Sequence, residues 1–234
     1  MNDELILELV EDSANRAGTY NLLSSLYLME LTSEQISALK DQDLESIKGM
    51  ETNIDAGLNS IARYLKASFG KDIRQELASD YAHSILGVTA DEHEMALPYE
   101  SLYFNGEKLL MRECRDDVYR MYCEEHMGTP EGKDIPEDHL GLMFEFMGYL
   151  CTEYNNALNR RDYQEALRLA NKEKELLAHH VLYWIDKYCD LLLEVARTGF
   201  YRGLAQITRG WMNLEQDAVE NVILDTQDLC GVKK

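Results

Sequence analysis

The chain has 234 residues, a net charge of −20, 45 % hydrophobic residues and 28 % charged residues. This length allows one sizeable core. The strong acidity argues against nucleic acid and against an anionic membrane surface as partners, because both carry negative charge themselves. A cationic partner is compatible with this charge, and so is a role in solubility alone.

The cysteines and the N-terminus indicate the compartment. The 5 Cys form no Cys-x-x-Cys pair, and their odd number is typical of reduced, buried thiols. Residues 1–4 lack the basic region of a signal peptide, and no window approaches the ~18 consecutive apolar residues of a membrane span. We therefore expect a cytoplasmic protein without stable membrane insertion.

Helical periodicity begins at the N-terminus. Apolar residues recur every three or four positions over 3–30, which predicts a first helix. Thr32 and Ser33, with Gln35 nearby, carry the cap signature of a short second helix.

Two further helices are predicted in the N-terminal half. The apolar pattern from Ile47 to Leu65 indicates one amphipathic helix, for which Gly70 is a natural stop. Asp72 is the predicted start of the next helix, which runs to about Leu86.

The C-terminal half alternates between loops and long helical patterns. Residues 87–98 break the periodicity and predict a loop or hinge, and residues 128–135 predict a second loop. Between them a helix is expected over 106–127. The remaining predicted helices cover 136–159, 162–178, 180–198 and 200–228. The pattern predicts an all-α, single-domain helical bundle of about eight to ten helices over 1–234.

The start of the 136–159 helix is the most informative stretch. Proline is tolerated at the first helical position, which predicts that the helix begins at Pro136. Glu137 and Asp138 then fall in the first turn, where carboxylates favour the positive end of the helix dipole. Asp138 and His139 are adjacent and point to different sides of a helix. This arrangement is unsuited to a catalytic dyad and suits a terminus that binds an external group.

Motifs for catalysis, metal and nucleotide are missing. None of the 6 His has the i, i+4 spacing of a helical metal site such as His-Glu-x-x-His. Neither Gly-rich phosphate motif occurs, and no nucleophile elbow is present. We therefore expect no catalytic residue, no metal and no bound cofactor.

Several segments in order resemble one family. The run from Pro136 to Met147 reads Pro-x-Asp-His, then an apolar helix ending in acid-Phe-Met, although Met143 stands where many members have an acid. Residues 98–103 match a Pro-aromatic-x-Ser-x-aromatic segment, and 80–87 keep half of another motif. With the closing helices, the chain resembles the TorD/DmsD/NarJ family of cytoplasmic molybdoenzyme chaperones over about 80–210.

The resemblance implies a TorD-like helical fold and a binding function without catalysis. The implied partner is a molybdopterin-dependent oxidoreductase, bound through its twin-arginine leader, its apo form or both, during cofactor insertion and export proofreading. One alternative is a NarJ-like role for a client that is not exported. Another is a helical protein that binds a small molecule.

The implied peptide site centres on Asp138 and His139, with Pro136 beside them. A carboxylate at a helix start can accept hydrogen bonds from an incoming guanidinium, and Arg–carboxylate pairs can be bidentate. The alternative is that Asp138 only caps the helix while His139 packs. Glu145 lies about two turns beyond Asp138 on nearly the same face, and either extends an acidic track or is merely solvated.

Aromatic residues provide candidates for an apolar groove. Tyr81, Tyr99 and Tyr103 offer large contact area with few rotatable bonds, although the residues alone favour core packing for any single one of them. Glu100 could pair with an arginine, and Ser101 lies in the same matching segment.

The sequence leaves several properties open. These are the client enzyme, the exact groove, and direct binding of guanine nucleotide or molybdenum cofactor. The protein is expected to be a monomer or a domain-swapped dimer, with the 87–98 loop as the hinge.

Overall fold

The computed structural model describes residues 2–67, 72–88, 95–104, 113–128 and 135–231. These residues are mainly α-helical and contain no β-strand, which confirms the all-α prediction. The helices are α1 (Asn2–Leu28), α2 (Ser33–Asp41), α3 (Thr52–Ala67), α4 (Ile73–Ser84), α5 (Glu113–Glu124), α6 (Leu140–Asn159), α7 (Tyr163–Leu176), α8 (Leu182–Val195) and α9 (Gly199–Leu229).

Two predicted helix starts are confirmed by their hydrogen bonds. Before α2, the Thr32 hydroxyl accepts from the Gln35 N–H at 3.2 Å, and the Gln35 side chain accepts from the Thr32 N–H at 2.8 Å. This reciprocal pair is a capping box. Before α4, Asp72 accepts from the Gln75 N–H at 3.1 Å.

The helix predicted from Ile47 begins later, at Thr52, so that prediction is wrong in its first residues. Ile47 is 42 % exposed. Gly49 has a φ of 84°, a left-handed conformation that interrupts a helix. The Glu51 carboxylate then accepts from the N–H of Asn53 and of Ile54, at 2.6 and 3.0 Å, and caps the new start.

The helix predicted from Pro136 begins at Leu140, with His139 as its N-cap. Residues 136–138 form a turn, in which the His139 N–H donates to the Pro136 carbonyl at 3.0 Å. Pro136 is therefore not the first helical residue, and Asp138 does not lie in the first turn. Other predicted features lie outside the described residues: Gly70, the helix start at 106, 129–134 of the second loop, and 89–94 within the 87–98 hinge.

The two predicted helices over 162–178 and 180–198 are joined by a π turn at Leu177–Val181. The chain therefore stays helical where a break was predicted. None of the helices in the described ranges is long and apolar enough to cross a membrane.

The helices group into two compact units. The first unit comprises Met1–Ser25, Tyr99–Tyr183 and Glu215–Lys234, and the second comprises Leu26–Pro98 and Trp184–Leu214. The expectation of one domain over 1–234 stays a prediction.

The first unit is built around α6, whose apolar side chains are almost wholly buried. The ring of Phe144 lies 5.6 Å from that of Tyr20, and Phe146 stacks on Tyr122 at 4.4 Å. Beside this core lies a buried ionic cluster, in which Arg16 contacts two glutamates.

The second unit contains a close helix crossing. Gly57 of α3 faces Gly203 of α9, and a Cβ at Gly203 would lie 2.6 Å from the Gly57 carbonyl oxygen. Only glycine fits such a backbone approach. In the same unit Asp80 is buried and accepts from the N–H groups of Arg197 and Thr198 just before α9, at 3.0 and 2.7 Å.

Candidate functional site

Three short segments of the first unit form the candidate site. They are a 3-10 helix (Glu100–Leu102), the 136–139 turn and the π turn. An isolated antiparallel bridge joins Tyr99 and His139, whose rings meet edge-on with centroids 4.9 Å apart. The Glu100 N–H donates to the Asp138 carbonyl at 3.0 Å and fixes the 3-10 helix against the turn.

Asp138 is completely buried and is tied to the 3-10 helix. Its Oδ2 accepts from the Ser101 N–H at 2.9 Å and from the Ser101 hydroxyl. Its Oδ1 has no hydrogen-bond partner within the described ranges. Because buried polar atoms are almost always paired, an unpaired buried oxygen is an acceptor that a ligand can use.

His139 caps α6. Its Nδ1 accepts from the Gly141 N–H at 3.0 Å, which requires a neutral ring with its proton on Nε2. Burial lowers the pKa of His139 to about 3. Since the ring stays neutral at physiological pH, His139 contributes a fixed cap and an aromatic surface rather than a charge.

We expect the His139→Asn variant to lose part of the acid sensitivity of folding. The unfolded chain binds a proton near pH 6.5, but folded His139 stays neutral until about pH 3, so the free energy of unfolding falls as the pH drops through this window. Asparagine keeps a capping acceptor and cannot titrate. Between pH 7.5 and 4.5, the free energy of unfolding of wild type should fall by about 2.5 kcal/mol more than that of the variant in urea denaturation. Parallel losses would show that His139 titrates normally in the folded protein.

Glu100 is only 1 % exposed and belongs to a cluster that the sequence did not reveal. The Tyr183 hydroxyl donates to its Oε1 at 2.8 Å, and His180 Nδ1 lies 3.2 Å from both carboxylate oxygens. Burial raises the pKa of Glu100, against the lowering effect of these two partners. Burial also raises the pKa of the nearby Cys114 thiol to about 11, so this cysteine is a protonated thiol and not a nucleophile.

Glu137 provides a contrast in the same turn. It is 2 % exposed, and its carboxylate accepts from Arg115 Nε at 2.5 Å. Glu137 therefore has a permanent cationic partner within the protein. Glu100 and Asp138 have none among the Lys and Arg side chains of the described ranges.

The structure brings most of the predicted site residues together. Pro136, Asp138, His139, Tyr99, Glu100 and Ser101 belong to the bridged segments. Tyr103 follows the 3-10 helix and is half-buried, and Glu145 is a half-buried residue of α6. Their role in binding stays a prediction.

Tyr81 lies in the second unit and not among the bridged segments. It is 3 % exposed, its hydroxyl donates to the Tyr27 carbonyl at 3.0 Å, and its ring lies 6.2 Å from that of Tyr201. This environment fits the core-packing interpretation of Tyr81, and its place in a peptide groove stays a prediction.

The sequence analysis missed His180 and Tyr183 as site residues. They lie 80 or more positions from Glu100, and only their spacing of three on a helical segment hinted at a shared face. Within the described ranges, no group of three His, Cys, Asp or Glu side chains is arranged to hold a metal ion.

Comparison with known proteins gives consistent matches. Residues 48–190 match the family model described as nitrate reductase delta subunit, a range that includes all three segments of the site. The chain is similar to the chaperone protein TorD of Aliivibrio fischeri, with 23 % identity over 89 % of this chain and 96 % of that protein. It is also similar to TorD of Shewanella oneidensis, with 26 % identity over 89 % of this chain and 92 % of that protein.

Proposed function

The chain belongs to the nitrate reductase delta subunit family, the TorD/DmsD/NarJ chaperones of molybdoenzyme maturation, and from this premise we propose that it binds the twin-arginine leader of a molybdopterin-dependent oxidoreductase. It holds the apo-enzyme in the cytoplasm until the cofactor is inserted and then releases it for export. The protein acts by binding, and no catalytic step is proposed.

One observation carries the proposal, namely the two buried carboxylates Asp138 and Glu100 without a Lys or Arg partner in the described ranges. The hydrogen bonds from Ser101 and Tyr183 compensate part of the cost of burying these carboxylates, but no Lys or Arg of the described ranges supplies the opposite charge. A guanidinium from a leader would supply both the charge and a fork of donors. Asp138 Oδ1, the open acceptor of the site, is suited to it.

The rest of a leader is apolar, and the surroundings of the carboxylates suit it. Tyr99, Tyr103 and Pro136 are half-buried at this site and offer apolar surface. Aromatic contacts of this kind supply most of the affinity in peptide recognition. The net charge of −20 speeds the encounter with a cationic segment over roughly the Debye length, about 8 Å at physiological salt.

The client is identified first, by affinity capture of the tagged protein from its host grown anaerobically. We expect a molybdoenzyme catalytic subunit that retains its leader. The NarJ-like alternative, favoured by the description of the matching family model, predicts the same class of subunit without consecutive arginines near its start. Capture of no molybdoenzyme, with the client expressed and the bait folded, would refute both.

Replacing Asp138 with Asn is expected to weaken binding of the captured client's synthetic leader by about 10-fold or more, because it removes a charge and keeps the shape. Calorimetric titration gives the affinity, and the same titration at increasing salt should show weaker binding. Glu220→Gln is the matched control, since it removes the same charge from an exposed position, where the carboxylate pairs with Lys174. Equal affinities of wild type and Asp138→Asn would contradict the assignment of this site.

A further inference from the structure

Glu100, His180 and Tyr183, which we name the Glu100 cluster, connect a buried carboxylate to the protein surface. Tyr183 is 47 % exposed, although its hydroxyl donates to a glutamate that is 1 % exposed. The Tyr183 side chain therefore extends from the protein surface to Glu100. His180, which is 8 % exposed, holds the carboxylate from the other direction.

The π turn positions both donors. His180 lies within Leu177–Val181, and Tyr183 follows it by three residues at the start of α8. Residues three apart share one face of a helix, so both side chains reach Glu100 from the same segment. π turns are rare and occur frequently at functional sites.

We propose that Glu100 is the carboxylate that receives a leader guanidinium, and that the Tyr183 hydroxyl occupies its place until the leader binds. The inference rests on the proposed function, because its ligand is a leader arginine. Tyr183 turns outward on binding, and the guanidinium donates to Glu100 in place of the phenol. The hydrogen bond from a neutral phenol is thereby exchanged for hydrogen bonds from a charged donor, which can be bidentate.

The neighbouring charges favour this exchange. The Glu100 N–H donates to the Asp138 carbonyl at 3.0 Å, so the two acidic residues lie on adjoining segments. In the described ranges, neither carboxylate forms an ion pair with a Lys or Arg side chain. An incoming guanidinium therefore meets no competing Lys or Arg partner of Glu100 in the described ranges.

The test uses two forms of the captured client's leader, one with its paired arginines and one with citrulline at both positions. Citrulline keeps the shape and removes the charge. Wild type should bind the arginine form more tightly. Glu100→Gln should lose about 10- to 100-fold for the arginine form and less than about 2-fold for the citrulline form. Thermal unfolding checks that Glu100→Gln is folded, and Glu220→Gln controls for the loss of one negative charge.

Tyr183→Phe tests the displacement itself. Because no hydroxyl has to leave Glu100, this variant should bind the arginine form about 2- to 5-fold more tightly than wild type. Weaker binding would show that Tyr183 contacts the leader directly and would overturn the inference. Equal losses for both peptide forms in Glu100→Gln would also overturn it and leave the proposed function standing. Failure of both peptides to bind wild type would refute the proposed function and this inference together.

Discussion

Replacing Arg16 with Met is expected to lower the free energy of unfolding by about 3–5 kcal/mol, the range measured when one partner of a buried ion pair is removed. Arg16 is 6 % exposed, and its Nη2 lies 2.7 Å from both Glu173 and Glu215. Both glutamates are buried as well, so the variant leaves two carboxylates without their cation. Tyr20 donates to Glu215 at 2.8 Å but carries no charge. Urea denaturation followed by circular dichroism measures the loss.

Two comparisons test the origin of this loss. Arg161→Met removes an arginine whose ion pair with Asp3 is exposed, and should change stability by less than about 1 kcal/mol. Burial raises the pKa of Glu173, so the loss in Arg16→Met should shrink at acid pH, where this carboxyl becomes protonated and no longer needs a cation. A loss below about 1 kcal/mol at neutral pH would show that the two carboxylates are compensated in another way.

Replacing Asp80 with Ala is expected to lower the free energy of unfolding by about 3–4 kcal/mol, because a buried charged acceptor is removed from several donors. Asp80 is 1 % exposed and binds the N–H groups of Arg197 and Thr198 together with the Thr198 hydroxyl at 2.6 Å. The Ser84 hydroxyl donates to the same carboxylate at 2.8 Å.

The control for Asp80 is another acidic cap in the same unit. Asp72 is exposed and accepts one hydrogen bond from the Gln75 N–H, so Asp72→Ala should cost about 1 kcal/mol. Denaturant midpoints of both variants give the comparison. Equal losses of unfolding free energy in the two variants would mean that the buried Asp80 stabilises the protein no more than an exposed helix cap does.

Local signals in the sequence predicted the helix starts that depend on local contacts. The capping box at Thr32 and the cap at Asp72 are made within three residues of the start, and both are confirmed. The prediction that a helix starts at Pro136 was wrong, because Glu100 and Ser101 bind Asp138 in a turn before the helix. These residues precede the turn by more than 30 positions, and no pattern in the turn reveals them.

The candidate site also divides into residues that the sequence indicated and residues whose contacts depend on distant parts of the chain. Asp138, Tyr99, Glu100 and Ser101 were named from the resemblance, and the structure places them in contacting segments. Tyr183 was not predicted, because its contact with Glu100 depends on tertiary packing. The spacing of three between His180 and Tyr183 indicates a shared helix face, but nothing in the sequence identifies Glu100 as the residue that this face contacts.

The π turn makes the length of its segment matter as much as its composition. Continuous α-helix advances each residue by about 100° around the axis, so deleting His179 would turn His180 and Tyr183 by that angle relative to α7 and out of their positions beside Glu100. The shortened chain would still form a regular helix there, and it would keep Glu100, His180 and Tyr183. A change in the number of residues would then leave the helices intact and remove the contacts that form the Glu100 cluster.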